Sequence, residues 1–75
     1  MLKKRDKYYI LYTFLYADCD LVEYLTSREC TDLANMIDYA YHLTNRLEEK
    51  FGECISIEIY KGVYTSETLV YVHTF

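Results

Sequence analysis

Seventy-five residues suffice for one domain (1–75) with a limited core, and 52% hydrophobic content with no proline and two glycines excludes a disordered chain or a long linker. Three cysteines, Cys19, Cys30 and Cys54, form an odd and widely spaced set, which argues against a disulfide scaffold and for free thiols in a reducing, cytoplasmic setting. The formal charge of −4 is uneven: residues 1–7 form a basic arm of +3 (Lys3, Lys4, Arg5 and Lys7 against Asp6), and the rest carries −7, a body that repels nucleic acid and attracts basic surfaces.

The chain opens on a basic stretch with no small-residue cleavage site behind it, so no signal peptide is read. No apolar run approaches the ~20 residues of a membrane helix. Residues 7–16, Lys-Tyr-Tyr-Ile-Leu-Tyr-Thr-Phe-Leu-Tyr, are nearly all aromatic, β-branched or leucine and predict a strand. Both of its faces are apolar, so alternation leaves open which one meets the core. Residues 17–20, Ala-Asp-Cys-Asp, read as a turn, and 21–25 as a second strand antiparallel to the first.

Residues 26–51 read as the central amphipathic helix. Cys30, Leu33, Ile37, Ala40, Thr44, Leu47 and Phe51 recur at alternating spacings of three and four, one stripe of a helical surface. Asp32, Asn35, Asp38, Tyr39, His42, Asn45, Arg46 and Glu49 fall opposite. Thr26-Ser27-Arg28-Glu29 fits a capping box, and Gly52 fits the stop. Residues 54–60 alternate cleanly, with Ile55, Ile57 and Ile59 inward and Cys54, Ser56, Glu58 and Tyr60 outward. Residues 61–67 hold the reversal, and 68–75 the last strand.

The order β-β-α-β-β predicts an α+β fold: an antiparallel four-stranded sheet with one helix packed on one face. One helix covers one face only. The other face is expected to expose tyrosines, either Tyr8, Tyr12, Tyr16, Tyr24, Tyr60 and Tyr71 or their odd-numbered counterparts, and to serve as a dimer or docking face.

No motif for chemistry stands out. Cysteines and histidines are too far apart for a paired-ligand metal site, and no cofactor motif occurs. A Cys54 or Cys30 nucleophile with His42 or His73 has no local pattern behind it. Carboxylate pairs such as Asp18 with Asp20 read as solvated charges. Aromatics on an open sheet suit base stacking, but the acidic body lacks the electrostatic footing, so no direct nucleic-acid binding is expected.

In size, charge and hairpin–helix–hairpin order the whole chain resembles small phage-encoded inhibitor proteins, the anti-CRISPR group among them. No residue motif is shared, so no functional residue carries over. The resemblance implies a non-enzymatic protein, without cofactor or metal, that acts in the host bacterial cytoplasm. Its partner would be a bacterial defence nuclease, blocked stoichiometrically at its nucleic-acid site or in its assembly. On charge, the expected partner-binding residues are Asp32, Asp38, Tyr39 and Glu49 on the outer helix face, then Asp18, Asp20 and Glu23 near the first turn. The alternative is a homodimeric structural or assembly protein paired through the tyrosine face.

Overall fold

The computed structural model describes residues 4–16 and 20–75. Its elements are β1 (Asp6–Leu15), β2 (Leu21–Cys30), α1 (Leu33–Phe51), β3 (Glu53–Lys61), a single 3₁₀ turn (Ser66–Thr68) and β4 (Leu69–Thr74). The strands form one antiparallel sheet in the order β2-β1-β3-β4 with α1 on one face, the expected α+β architecture.

The second strand is twice as long as expected, and the helix starts later. Residues 26–30 continue β2, where Thr26 pairs with Ile10, Arg28 with Tyr8 and Cys30 with Asp6. Because β1 begins at Asp6, its hairpin partner must run to Cys30 to fill the ladder, and this outweighs the local capping signal at Thr26. The helix is capped instead by Asp32, whose Oδ1 accepts the amide of Asn35 at 2.8 Å. Gly52 does end it: at φ 95° it turns the chain into β3 while its amide donates to the Glu48 carbonyl at 3.1 Å. The expected turn at 17–20, with Asp18 and Cys19, falls largely outside the described residues, as does Lys3 of the basic arm.

The even-numbered face of β1 meets the helix. Tyr8, Ile10, Tyr12 and Phe14 are buried against Met36, Ala40 and Leu47 of α1 and against Ile57 and Ile59 of β3. Burying one such side chain contributes roughly 1.5–3 kcal/mol, so this layer dominates the core. Tyr12 solves the polar problem of that burial by donating its hydroxyl to the Ala40 carbonyl at 2.8 Å. Aromatic rings close the hairpin end, with Phe51 5.5 Å from Phe14 and 5.6 Å from Tyr24. At the other flank Tyr41 and Tyr71 join hydroxyls at 2.7 Å.

The helix stripe is the predicted one, except that Cys30 contributes from β2 and Met36 is buried more fully than Ile37. The alternation in β3 shifts by one residue. Thr13 pairs with Ser56 but Phe14 pairs with Cys54, so a bulge at Ile55 turns Cys54 inward where Ile55 was expected.

Candidate functional site

The face of the sheet turned away from α1 is uncovered, and its composition follows from register. Successive rows across β2, β1, β3 and β4 read Ser27–Tyr9–Tyr60–Leu69, Leu25–Leu11–Glu58–Val72 and Glu23–Thr13–Ser56–Thr74. One end carries Leu21–Leu15–Glu53 and the other Glu29–Lys7. Leu21, Leu25 and Val72 are 65%, 45% and 51% exposed, an unusual concentration of open aliphatic surface for so small a sheet. Glu58 lies among these residues, between Leu11 and Val72, and Glu23, Glu29 and Glu53 lie toward the strand ends; Lys7, lying 5.2 Å over the Tyr9 ring, is the cation in the rows.

A tyrosine cluster stands at one corner. Tyr64, from the β3–β4 connection, sets its ring edge-on to Tyr60 at 4.7 Å and tilts against Tyr9 at 6.3 Å. Tyr60 is thereby only 8% exposed, and its hydroxyl donates to Glu58 Oε1 at 2.9 Å. Burial first, then the bond to this carboxylate, pushes the Tyr60 phenol up to about 12. The Tyr60 phenol is thus an amphipathic anchor rather than a proton donor at ordinary pH.

The expected tyrosine face is therefore redistributed. Tyr8 and Tyr12 lie in the core, and Tyr24 and Tyr71 are half-buried on the helix side. Tyr60 is on the open face but roofed by Tyr64, and Tyr16 is exposed just beyond β1. The odd-numbered counterparts Tyr9 and Leu11 supply the open face instead. A signal for this parity was present: Lys7, Glu23, Ser27 and Glu29 all occupy odd positions of the first hairpin, and charge seeks water.

The expected partner-binding residues do not gather on one surface. Asp32, Asp38, Tyr39 and Glu49 lie on the helix side, Glu23 lies on the open sheet face, Asp20 stands exposed before β2, and Asp18 is outside the described residues. On the helix the acids are not contiguous either. The Asp32 carboxylate is engaged as the cap, the Arg28 guanidinium lies 4.1 Å over the Tyr39 ring, and Arg46 and Lys50 interleave with Asp38 and Glu49. Leu11, Leu25, Val72 and Tyr64 are not among the site residues expected from the sequence, since their grouping depends on pairing that the linear sequence does not display.

Cys54 is buried, and burial pushes its thiol up, away from the reactive thiolate. Among the described residues no three His, Cys, Asp or Glu side chains converge as a metal site requires, and no helix is long and apolar enough to cross a membrane.

Fold and surface together define a small α+β domain with one face covered by a helix and one face open, where exposed aliphatic side chains stand among carboxylates. Comparison with protein-family models, with curated proteins and with solved structures finds no match in any of the three.

Proposed function

We propose that this chain is a non-enzymatic binding protein that docks a basic protein surface through its uncovered sheet face. The observation that carries the reading is the row of Leu25, Leu11, Glu58 and Val72 across the open face, where a carboxylate lies among aliphatic side chains and Glu23, Glu29 and Glu53 lie toward the strand ends. The aliphatic side chains supply affinity and the carboxylates among and around them select the partner. A partner whose Lys and Arg normally hold phosphate fits these carboxylates, and stoichiometric inhibition of a nucleic-acid-processing enzyme of bacterial defence is the role we assign. The test is a tagged pull-down from nuclease-treated bacterial lysate, read by mass spectrometry. The native chain is expected to retain one nucleic-acid-processing enzyme at near-equal stoichiometry, less so at high salt. The double variant Leu25→Lys, Val72→Lys should lose it with its circular dichroism unchanged, whereas Asp38→Lys, Glu49→Lys should keep it. Capture that survives the first pair and fails with the second would refute the assignment of the face.

One observation favours a second copy as occupant. Lys7 stands beside Glu29 at one end of the face, and Glu23 with Glu53 stand at the other. A two-fold axis perpendicular to the strands would set each Lys7 against the partner copy's acidic end. Sedimentation that shows a concentration-dependent dimer, dissolved by the Leu25→Lys, Val72→Lys pair, would select this reading over the inhibitor.

A further inference from the structure

The chain holds three arginines, Arg5, Arg28 and Arg46, amid an excess of acid, and all three come to one flank of the molecule. Among the described residues the single ion pair is Lys61–Asp6 at 3.6 Å, so none of the guanidinium groups is paired there with a carboxylate. A groove of ≈ 280 Å³ between β2 and the start of α1 is lined by Arg5, Arg28, Asn35 and Tyr39, with Glu29 as its one carboxylate. A second, of ≈ 370 Å³, continues along the helix past Tyr39, His42 and Leu43 to Arg46. Tyr39 belongs to both, and Arg46 follows it by two turns, roughly 10 Å along the axis. The Arg28 Cζ lies 4.1 Å from the centroid of the Tyr39 ring, a cation–π contact that holds the guanidinium beside the groove, and with no carboxylate among the described residues paired to it the group can fork onto an oxyanion.

Beside this groove runs an unoccupied sheet edge. β2 is the outer strand, paired on one side only, over ten residues with no break in register. The Tyr16 amide donates to the Asp20 carbonyl at 2.8 Å, which sets the phase of the hairpin ladder. Bonded pairs alternate along an antiparallel ladder, so even-numbered residues of β2 bond to β1. Leu21, Glu23, Leu25, Ser27 and Glu29 thus aim their N–H and C=O groups outward. Neither proline nor a bulge blunts this edge.

From these two features we infer that β2 accepts an extended acidic segment of a partner protein as a fifth strand. Backbone bonds to the outward groups give affinity, and every second side chain of the added strand, a carboxylate, reaches the arginine-lined flank. A second copy fits poorly. The helix-side residues of its own β2 are Val22, Tyr24, Thr26 and Arg28, which would bring a cation rather than an acid to the groove. The inference uses a different surface from the open face and does not rest on that reading.

The test titrates the full chain with the peptide Ac-Thr-Glu-Thr-Glu-Thr-Glu-Thr-NH2, followed by amide NMR and hydrogen exchange. Binding is expected, with slowed exchange at the amides of Glu23, Leu25 and Ser27. Replacing Glu by Gln in the peptide should weaken it roughly tenfold or more, the scale of charge-assisted hydrogen bonds. Methylating alternate peptide nitrogens should abolish it, and Arg28→Lys should weaken it although the charge remains. No binding by the native peptide at millimolar concentration, equal affinity for the Gln peptide, undiminished binding after N-methylation, or protection mapped to β4 would each overturn the inference. So would the same amides becoming protected by self-association, or tighter occupancy of the groove by oligothymidylate than by the peptide.

Discussion

The Tyr12→Phe substitution separates the two faces of the central strand. Tyr12 is fully buried, and its hydroxyl donates to the Ala40 carbonyl at 2.8 Å; the Thr44 hydroxyl donates to the same oxygen at 2.9 Å. Phenylalanine preserves the ring contacts with Phe14 and Tyr24 and deletes one buried hydrogen bond. The carbonyl keeps Thr44, so no acceptor is stranded, and the loss is that of an ordinary bond, about 0.5–1.5 kcal/mol. For a domain of this size about 1 kcal/mol lowers Tm by roughly 4–8 °C. Removing both donors, Tyr12→Phe with Thr44→Val, should cost about the sum of the singles, since the carbonyl still accepts the Thr44 amide within α1 and is never stranded. Urea denaturation with an unchanged m-value is the assay. The comparison is Tyr9→Phe, three residues away on the open face, where a change within about 0.5 kcal/mol is expected. Equal effects at Tyr9 and Tyr12, or a larger one at Tyr9, would refute the assignment of the even-numbered face to the core.

Other consequences are checked by the same denaturation. A Cβ at Gly52 would stand 2.5 Å from the Leu15 carbonyl oxygen, on top of φ 95°, whereas at Gly62, φ 87°, it meets nothing within 4 Å. Gly62→Ala should therefore cost about 1 kcal/mol, the left-handed penalty alone, and Gly52→Ala should cost distinctly more. Asp32→Ala removes the N-cap acceptor and should cost about 1 kcal/mol; Thr26→Ala, off the helix, should leave the helix start in place by NMR. Tyr60 and Tyr41 are both pushed up to about 12, first by burial and then by hydrogen bonds to Glu58 and Tyr71. Their raised folded pKa favours the neutral phenol, so this stabilisation is whole below about pH 10, the unfolded value, and is lost as pH rises toward 12. Alkaline titration at the tyrosinate absorbance should show a late class of phenols that ionises together with unfolding.

What could be read from the chain was whatever a local period encodes. The α1 stripe from Leu33 to Phe51 and the inward pair Ile57 and Ile59 are legible because helix and strand periods differ and each buries one side. What could not be read depended on pairing. Thr26 to Cys30 carry cap-like residues, yet the backbone groups of Thr26, Arg28 and Cys30 are claimed by Ile10, Tyr8 and Asp6 across the hairpin, and the ladder supplies one bond partner after another where the cap supplies one. The bulge opposite Thr13 and Phe14 changes the parity of β3 at one residue, which no alternation rule anticipates. The tyrosines mislead for a related reason. A phenol is equally suited to an interface and to a core that offers an acceptor, so only the position of the Ala40 carbonyl decides that Tyr12 is inside.

The same dependence governs the surfaces. Glu23 and Arg28 are five residues apart on one strand, yet opposite parity sends the first to the glutamate-bearing open sheet face and the second to the arginine flank. A chain of net charge −4 thus offers an acidic face and a local cationic groove on opposite sides of a single sheet. Net charge predicts the sign of the field at a distance, not the partner of either side. Raising salt should weaken ligands of both surfaces, so salt alone cannot tell them apart. Charge reversal at Glu23 and at Arg28 can, because each removes the contact on its own face and leaves the other in place.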